Sequence, residues 1–269
     1  MLIIIPMTSS VLMLRELLKK KEQKNNTLIE IKNISFNFID QKILSDINLT
    51  ISRGEFVSII GPSGCGKSTL LNIISGITKP KTGEITIEGK IANIGDKISY
   101  MQQKDLLLPW RNVRENAGIG LEIKGFSDKL IQKKISEFAT DFGLKKYLNY
   151  MPHELSGGLR QRVAFLRAVL IDNPIMLLDE PLGSLDAITK SSLHEWLMEL
   201  FIKFSKTIIL VTHDIEEAIL LANRVIVMSN NPGSILKEYK VDRGLVDNKD
   251  VTSNYFIRLK KEIIKDLIL

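Results

Sequence analysis

The chain has 269 residues, of which 44% are hydrophobic and 25% are charged, which is ordinary for a globular protein with a full core. No apolar run approaches the roughly 20 residues that a membrane-spanning helix needs, and the single cysteine, Cys65, excludes an internal disulfide. The net charge of +6 comes from scattered lysines without an arginine-rich arm, so we expect a solvated surface and no nucleic-acid partner, with proximity to a membrane surface as the second interpretation.

Residues 1–27 form a polar, lysine-rich extension around one short helical pattern. The apolar stretch at residues 1–7 is too short to cross a bilayer, and its lysines follow it instead of preceding it, unlike those of a secretory signal. We therefore expect residues 1–27 to be a poorly ordered extension outside the folded domain.

The residue pattern changes at Leu28. Residues 28–31 have the pattern of an edge strand, and residues 43–51 alternate like a half-buried strand. Residues 55–60 then form a short, mostly apolar run, which is typical of a strand covered on both faces of a sheet. A helical pattern through residues 70–74 follows, and Gly76 ends it.

Three more apolar runs, at residues 175–178, 207–211 and 225–228, predict strands separated by helical patterns. That alternation indicates an α/β fold with a largely parallel core sheet. Residues 104–160 interrupt it with helical patterns and no convincing strand, so we interpret them as an inserted helical subdomain. An amphipathic pattern near the end predicts a C-terminal helix that packs back on the core, within a helical tail at residues 241–269.

The sequence Gly-Pro-Ser-Gly-Cys-Gly-Lys-Ser-Thr at residues 61–69 follows a predicted strand and opens a predicted helix, which is the context of a phosphate-binding loop. Glycines let backbone amides curl around phosphates, and the helix N-terminus adds a favourable dipole. We expect Lys67 to reach the β- and γ-phosphates, Ser68 to ligate Mg²⁺ and Thr69 to touch the α-phosphate. The residues predicted to cradle the ATP phosphates are Gly61, Ser63, Gly64, Cys65, Gly66, Lys67, Ser68 and Thr69, with the Cys65 side chain as a spectator.

Two carboxylates, Asp179 and Glu180, follow the predicted strand at residues 175–178. An acidic pair at a strand end is often only a solvated turn. Together with a phosphate loop it indicates ATP hydrolysis, in which Asp179 holds Mg²⁺ through water and Glu180 polarises the attacking water.

Residues 155–162 read Leu-Ser-Gly-Gly-Leu-Arg-Gln-Arg and match a second motif. With the motifs above, the chain resembles the ATP-binding subunit of an ATP-binding cassette (ABC) transporter over roughly residues 28–240. The resemblance implies that Ser156, Gly157 and Gly158 bind the γ-phosphate of ATP held by a second copy. The residues agree with this role, because Ser156 and the amides of Gly157 and Gly158 ahead of a helix can make a second anion site, although Ser-Gly-Gly taken alone is only a helix cap. We therefore expect a homodimer.

The resemblance also implies a fold and further site residues. The fold is a P-loop NTPase (RecA-like) core with an N-terminal antiparallel β-subdomain and the helical subdomain at about residues 104–160. Gln103 resembles the glutamine that senses Mg²⁺ and the attacking water, and His213 resembles the switch histidine that contacts the γ-phosphate. Asp186, in Ser184-Leu185-Asp186, matches the loop that crosses the dimer interface. We expect His153 and His194 to be structural.

An aromatic ring that stacks on adenine is a further feature that the resemblance implies. Phe38 occupies the expected position, although a tyrosine is more usual there. A core role for Phe38, or the use of Phe36 in its place, stays open at this point.

Residues 103–111 resemble the corresponding segment of ATPases that serve nitrate, sulfonate, taurine or thiamine-precursor importers. Leu107, Leu108 and Trp110 are expected either to contact a membrane permease or to belong to the subdomain core. The resemblance implies an ATPase at the cytoplasmic face of the membrane that energises an importer, with a solute-binding protein as an indirect partner. The alternative is a soluble ABC-type ATPase acting on ribosomes or DNA, and the cargo is not encoded in this chain.

Overall fold

The computed structural model describes residues 27–91, 97–183, 194, 197–198, 201, 206–246 and 251–268. The expected disorder of the N-terminal extension concerns residues that lie almost entirely outside these ranges, and Asp186 also lies outside them. The strands are β1 (Thr27–Phe38), β2 (Gln41–Ser52), β3 (Phe56–Ile60), β4 (Thr82–Ile87), β5 (Ile98–Met101), β6 (Ile175–Asp179), β7 (Thr207–Val211), β8 (Arg224–Met228) and β9 (Ile235–Lys240). The α-helices are α1 (Lys67–Ile74), α2 (Val113–Ile123), α3 (Asp128–Ala139), α4 (Gly157–Leu170), α5 (Ile215–Leu221) and α6 (Asn254–Ile268).

A three-stranded antiparallel sheet of order β2-β1-β4 forms the N-terminal layer. From Ile47 to Ile51 on β2 the side chains alternate between buried and exposed, as the sequence pattern predicts, whereas Ser45 and Asp46 interrupt the alternation where the register of β1 and β2 shifts. The prediction for residues 28–31 was wrong in extent and position, because β1 runs for 12 residues and is the central strand. Residues 33–38, where Ile34, Phe36 and Phe38 alternate with polar residues, extend the strand, and pairing with β2 and β4 stabilises it.

The core sheet has six strands in the order β5-β6-β7-β3-β8-β9. All neighbours are parallel except the antiparallel pair of β8 and β9. Every residue of β3, β6 and β7 is buried, because these strands lie inside the sheet with both faces covered. The predicted parallel α/β core is confirmed, and the carboxyl ends of β3, β6 and β7 lie side by side.

Two apolar clusters cover the faces of this core sheet. One joins the antiparallel sheet and α1 to the core sheet, with Leu70 and Ile74 of α1 at its centre. The other joins the core sheet to α2, α4 and α6. The C-terminal helix α6 buries Phe256 and Ile263 in the second cluster, as its amphipathic pattern predicts.

The helical subdomain contains α2, α3 and the start of α4. The Asn112 side chain caps α2 by accepting a hydrogen bond from the Glu115 amide at 2.9 Å, and the Glu115 carboxylate accepts one from the Asn112 amide. In the part of the chain that the structure describes, none of the helices combines the length and apolarity that crossing a bilayer requires.

Candidate active site

The phosphate loop connects the buried strand β3 to the first turn of α1. Gly64 and Gly66 have φ values of 80° and 99°, which favour glycine. At Gly66 a Cβ atom would also lie 2.7 Å from the Leu44 side chain. The loop therefore needs glycine for both its backbone conformation and the space beside Leu44. It places the N-terminus of α1 at the edge of the core sheet where Asp179 and His213 also lie.

Lys67 lies within this loop and is 6% exposed. Its Nζ donates hydrogen bonds to the backbone oxygens of Gly61 at 2.7 Å and Pro62 at 2.9 Å. Backbone carbonyls thus hold the ammonium group inside the loop that the sequence predicts to cradle phosphate. A bound phosphate oxygen offers Lys67 a charged acceptor, which makes a stronger hydrogen bond than a neutral carbonyl does.

The Cys65 side chain is 1% exposed and points away from solvent. A Cβ atom at Gly61 would lie 2.9 Å from its Sγ, so the thiol packs against the base of the loop. Burial raises the pKa of the Cys65 thiol, and the nearby Lys67 charge opposes that shift. The placement agrees with a spectator side chain.

Asp179 ends β6 and is 3% exposed. Burial raises the pKa of Asp179, and a hydrogen bond from the Ser68 hydroxyl acts in the opposite direction. The Tyr100 hydroxyl lies 3.5 Å from Asp179 Oδ2 and 3.1 Å from Asn72 Oδ1. Tyr100 was not predicted from the sequence; the register of β5 against β6 pairs it with Leu177, on the same face of the sheet as Asp179.

The residues around Asp179 fit a magnesium ion. Within the described ranges, the buried Oδ1 atom of Asp179 has no hydrogen-bond partner, and the Ser68 hydroxyl bonds to the same carboxylate. Carboxylate and hydroxyl oxygens are the donors that a hard divalent cation prefers. Gln103, the third predicted ligand, lies against the neighbouring Glu180.

Glu180 follows Asp179 and has a positive φ of 47°, which is strained for a residue other than glycine. Its amide donates to the Val211 oxygen at 2.8 Å, which fixes the turn against β7. Gln103 Nε2 lies 2.9 Å from Glu180 Oε2, and His213 Nδ1 lies 3.5 Å from Oε1. The structure therefore brings together the three side chains that the sequence analysis selected for catalysis.

The motif at residues 155–158 begins α4 and is exposed at Ser156 and Gly157. Ser156 is the N-cap, and its hydroxyl accepts a long hydrogen bond from the Leu159 amide at 3.4 Å. Among the described residues, no hydrogen bond joins this motif to the phosphate loop. The N-terminus of this 14-residue helix is therefore exposed at Ser156 and Gly157, as the predicted contact with ATP held by a second copy requires.

The two phenylalanines considered for adenine stacking lie in different surroundings. Phe38 ends β1 at the hairpin tip and is 65% exposed. Phe36 is partly buried and packs against the apolar cluster beneath the antiparallel sheet. The structure thus favours Phe38 as the ring free to stack on a base.

The segment after Gln103 combines core and surface residues. Leu107 packs against the core, whereas Trp110 is 71% exposed. Leu108 is half-buried and its amide donates to the Asn116 side chain at 2.7 Å. Leu106, which the sequence analysis did not select, is 49% exposed. The core expectation therefore fits Leu107, whereas the exposed Trp110 is available for contact with a partner.

The remaining histidines have different surroundings. His153 is exposed on a short 3-10 turn. His194 instead lies 3.7 Å from the buried carboxylate of Glu217, close to the loop that carries His213. The sequence analysis did not single out Glu217, because its acidic first-turn position is usual for a solvated helix start.

We expect Asp179→Asn to stabilise the protein without Mg²⁺ and nucleotide while abolishing Mg²⁺ binding. Folding raises the pKa of Asp179 above its ordinary value of 3.8. Such a carboxyl contributes most to folding stability below pH 3.8, and this contribution is lost as pH rises through the raised pKa. At pH 7.5 the ionised Asp179 therefore costs stability, and its replacement by asparagine should raise Tm.

Thermal melts of wild type, Asp179→Asn and the exposed-site control Asp40→Asn, each with and without Mg²⁺ and ATP, measure this. A lower Tm for metal-free Asp179→Asn, or a Mg²⁺-dependent gain equal to that of wild type, would contradict the assignment.

The chain matches the family model described as ABC transporter over residues 44–183. It is 40% identical over 242 residues to the aliphatic sulfonates import ATP-binding protein SsuB of Bacillus thuringiensis subsp. konkukian, covering 88% of this chain and 94% of that protein. It is 38% identical over 249 residues to the taurine import ATP-binding protein TauB of Jannaschia sp., covering 88% and 93%. Among solved structures, the dimeric structure of MJ0796, a bacterial ABC transporter cassette, superposes with a TM-score of 0.73 at 35% identity, covering 80% of this chain and 99% of that one.

Proposed function

Because the chain belongs to the ABC transporter family as an import-type ATPase, we propose that it energises the uptake of a sulfonate-type solute such as an aliphatic sulfonate or taurine. The observation that carries the catalytic part is the convergence of Gln103 and His213 on Glu180 beside the phosphate loop. Relatives named for aliphatic sulfonate and taurine import support the solute class. The segment at residues 103–111 supports the same group of importers.

ATP binds between two copies of the chain in this proposal. The phosphate loop and Phe38 of one copy hold the nucleotide, and the residues 155–158 of the other copy approach its γ-phosphate. The exposure of Ser156 at a helix N-terminus supports this arrangement, as does the similarity to a cassette whose structure is dimeric. Asp186 would lie near the same interface.

Hydrolysis in this site uses Glu180 as the base. Glu180 accepts a proton from water as the water oxygen bonds to the γ-phosphorus, and the bond to the bridging oxygen breaks to release ADP and phosphate. His213 donates a hydrogen bond to a γ-phosphate oxygen, and Gln103 orients Glu180 and the water. Mg²⁺ held by Ser68, Asp179 and Gln103 would neutralise charge on the phosphates.

The permease contacts the segment that leaves Gln103, at the exposed side chains of Leu106 and Trp110. This segment has a fixed shape, because the buried Asn116 donates to the backbone oxygens of Leu108 at 3.1 Å and Arg111 at 2.7 Å. An exposed tryptophan on a rigid loop is typical of an interface anchor. The protein accordingly lies at the cytoplasmic face of the membrane, and a solute-binding protein delivers cargo to the permease.

We expect Trp110→Ala to abolish solute uptake by cells while the purified variant keeps its ATPase activity. The indole is far more exposed than a structural tryptophan, so its removal should leave the fold intact and cost binding of the permease by about 2 kcal/mol or more. Uptake of radiolabelled solute and ATPase assays on purified protein measure the two effects. Ile123→Ala, which also removes an exposed apolar side chain of the helical subdomain, is the matched control. Equal uptake by both variants would contradict the proposed surface.

The proposed solute class is tested by growth of cells that lack this chain. Cells are given an aliphatic sulfonate, taurine or sulfate as the sole sulfur source, and separately nitrate as the sole nitrogen source. We expect growth to fail on the sulfonates alone and to return with wild type but not with Glu180→Gln. A defect confined to nitrate, or no defect on any solute, would overturn the sulfonate proposal.

A further inference from the structure

A buried polar cluster lies directly behind His213. Glu217 is 3% exposed and Thr212 is 2% exposed. The Thr212 hydroxyl donates to Glu217 Oε2 and accepts from the Asp214 amide at 3.0 Å. Asp214 Oδ1 in turn accepts from the Glu217 amide at 3.2 Å. Both neighbours of His213 in the chain are thus bonded to Glu217.

Burying Glu217 costs folding free energy that a surface position at the start of a helix would not cost. An acidic side chain in the first turn stabilises a helix equally well from the surface, as the adjacent Glu216 does in its ion pair with Lys260. Burying the Glu217 carboxylate carries a desolvation penalty. Within the described part of the chain, its Oε1 atom has no hydrogen-bond partner, and His194 Nε2 lies 3.7 Å away. The carboxylate is held between the Thr212 hydroxyl and an imidazole.

The backbone that Glu217 holds determines where the His213 ring points. The Thr212 amide donates to the Ile59 oxygen at 3.2 Å, which ties the loop to the strand that leads into the phosphate loop. The His213 side chain is 55% exposed, with Nδ1 3.5 Å from Glu180 Oε1. The bonded backbone on either side fixes the Cα–Cβ direction of His213, from which the exposed ring reaches Glu180.

We propose that Glu217 is a positioning residue for His213, acting through the hydrogen bond that the Thr212 hydroxyl donates to it. The inference rests on the proposed function, because it takes His213 as the side chain that meets the γ-phosphate. Loss of the hydrogen bond from Thr212 to Glu217 would release the backbone beside His213 and so weaken the contact of its imidazole with the γ-phosphate.

The test uses ATP-dependent dimerisation of the Glu180→Gln protein, measured by sedimentation over a range of protein concentrations. Thr212→Val removes the hydroxyl at constant shape, and Thr212→Ser retains it. We expect Thr212→Val and Glu217→Ala each to weaken the dimer about tenfold, and Thr212→Ser to stay within about twofold of the parent. Glu216→Gln, a neighbour outside the cluster, should leave the dimer unchanged.

The decisive comparison repeats Thr212→Val with His213→Ala already present. If Glu217 and Thr212 act through His213, the second substitution should change the dimer affinity by less than about twofold. A full tenfold effect in that background, or an unchanged dimer for Thr212→Val alone, would overturn the inference while leaving the proposed function intact. Absence of any ATP-dependent dimer of the Glu180→Gln parent would overturn both.

Discussion

In the Glu180→Gln variant, hydrolysis should fall by about 10³-fold while ATP still binds, since a positioned general base contributes 10²- to 10⁴-fold. The substitution is nearly isosteric. Its amide oxygen can still accept the hydrogen bond that Gln103 Nε2 makes to Glu180 Oε2 at 2.9 Å, so the site keeps its shape and loses only the proton acceptor.

Phosphate release at saturating ATP, together with nucleotide retained per chain, measures the two expectations on the same sample. The control is Glu84→Gln, which changes an exposed glutamate of the antiparallel sheet. Turnover near the wild-type rate would remove Glu180 from the catalytic role, and loss of bound nucleotide would show that the variant had damaged the site itself.

The Lys67→Ala variant should bind ATP about 10- to 100-fold more weakly, because a hydrogen bond to a charged group contributes about 1.5–3 kcal/mol. In the nucleotide-free protein the same ammonium bonds to the Gly61 and Pro62 oxygens, so its removal also leaves two loop carbonyls without that donor. The loop should therefore lose both its charge and part of its support.

Isothermal titration with ATP and Mg²⁺ measures the affinity, and Lys79→Ala, an exposed lysine beyond the same helix, is the matched control. Unchanged affinity in Lys67→Ala would exclude the loop at residues 61–69 as the phosphate site.

Local patterns were sufficient to predict the phosphate loop and the central strands. The motif at residues 61–69 needs only its own glycines and the strand before it, and β6 and β7 are continuous apolar runs. The strands β4 and β5 were missed because the first is half exposed and the second has four residues. Their pairing with strands distant in sequence stabilises them, which no short window reveals.

The parts of the site that the sequence could not supply depend on tertiary neighbours. Tyr100 is an ordinary strand residue until the register of β5 against β6 brings its hydroxyl to Asp179. In the sequence, Glu217 has the position of a solvated acidic residue in the first turn of a helix. In the folded chain it is buried and accepts a hydrogen bond from the Thr212 hydroxyl. The different burial of Phe36 and Phe38 likewise depends on how the antiparallel sheet packs, which the sequence alone does not show.

The most direct test of the account is co-purification of the tagged Glu180→Gln protein with ATP from gently solubilised membranes of its own cells, followed by mass spectrometry. If the protein energises a transporter, we expect recovery of a multi-spanning permease. We also expect that adding Trp110→Ala prevents recovery of the permease, whereas adding Ile123→Ala does not. Recovery of ribosomal or DNA-repair proteins from the soluble fraction, with no membrane partner, would leave the ATPase chemistry in place and contradict the transport role.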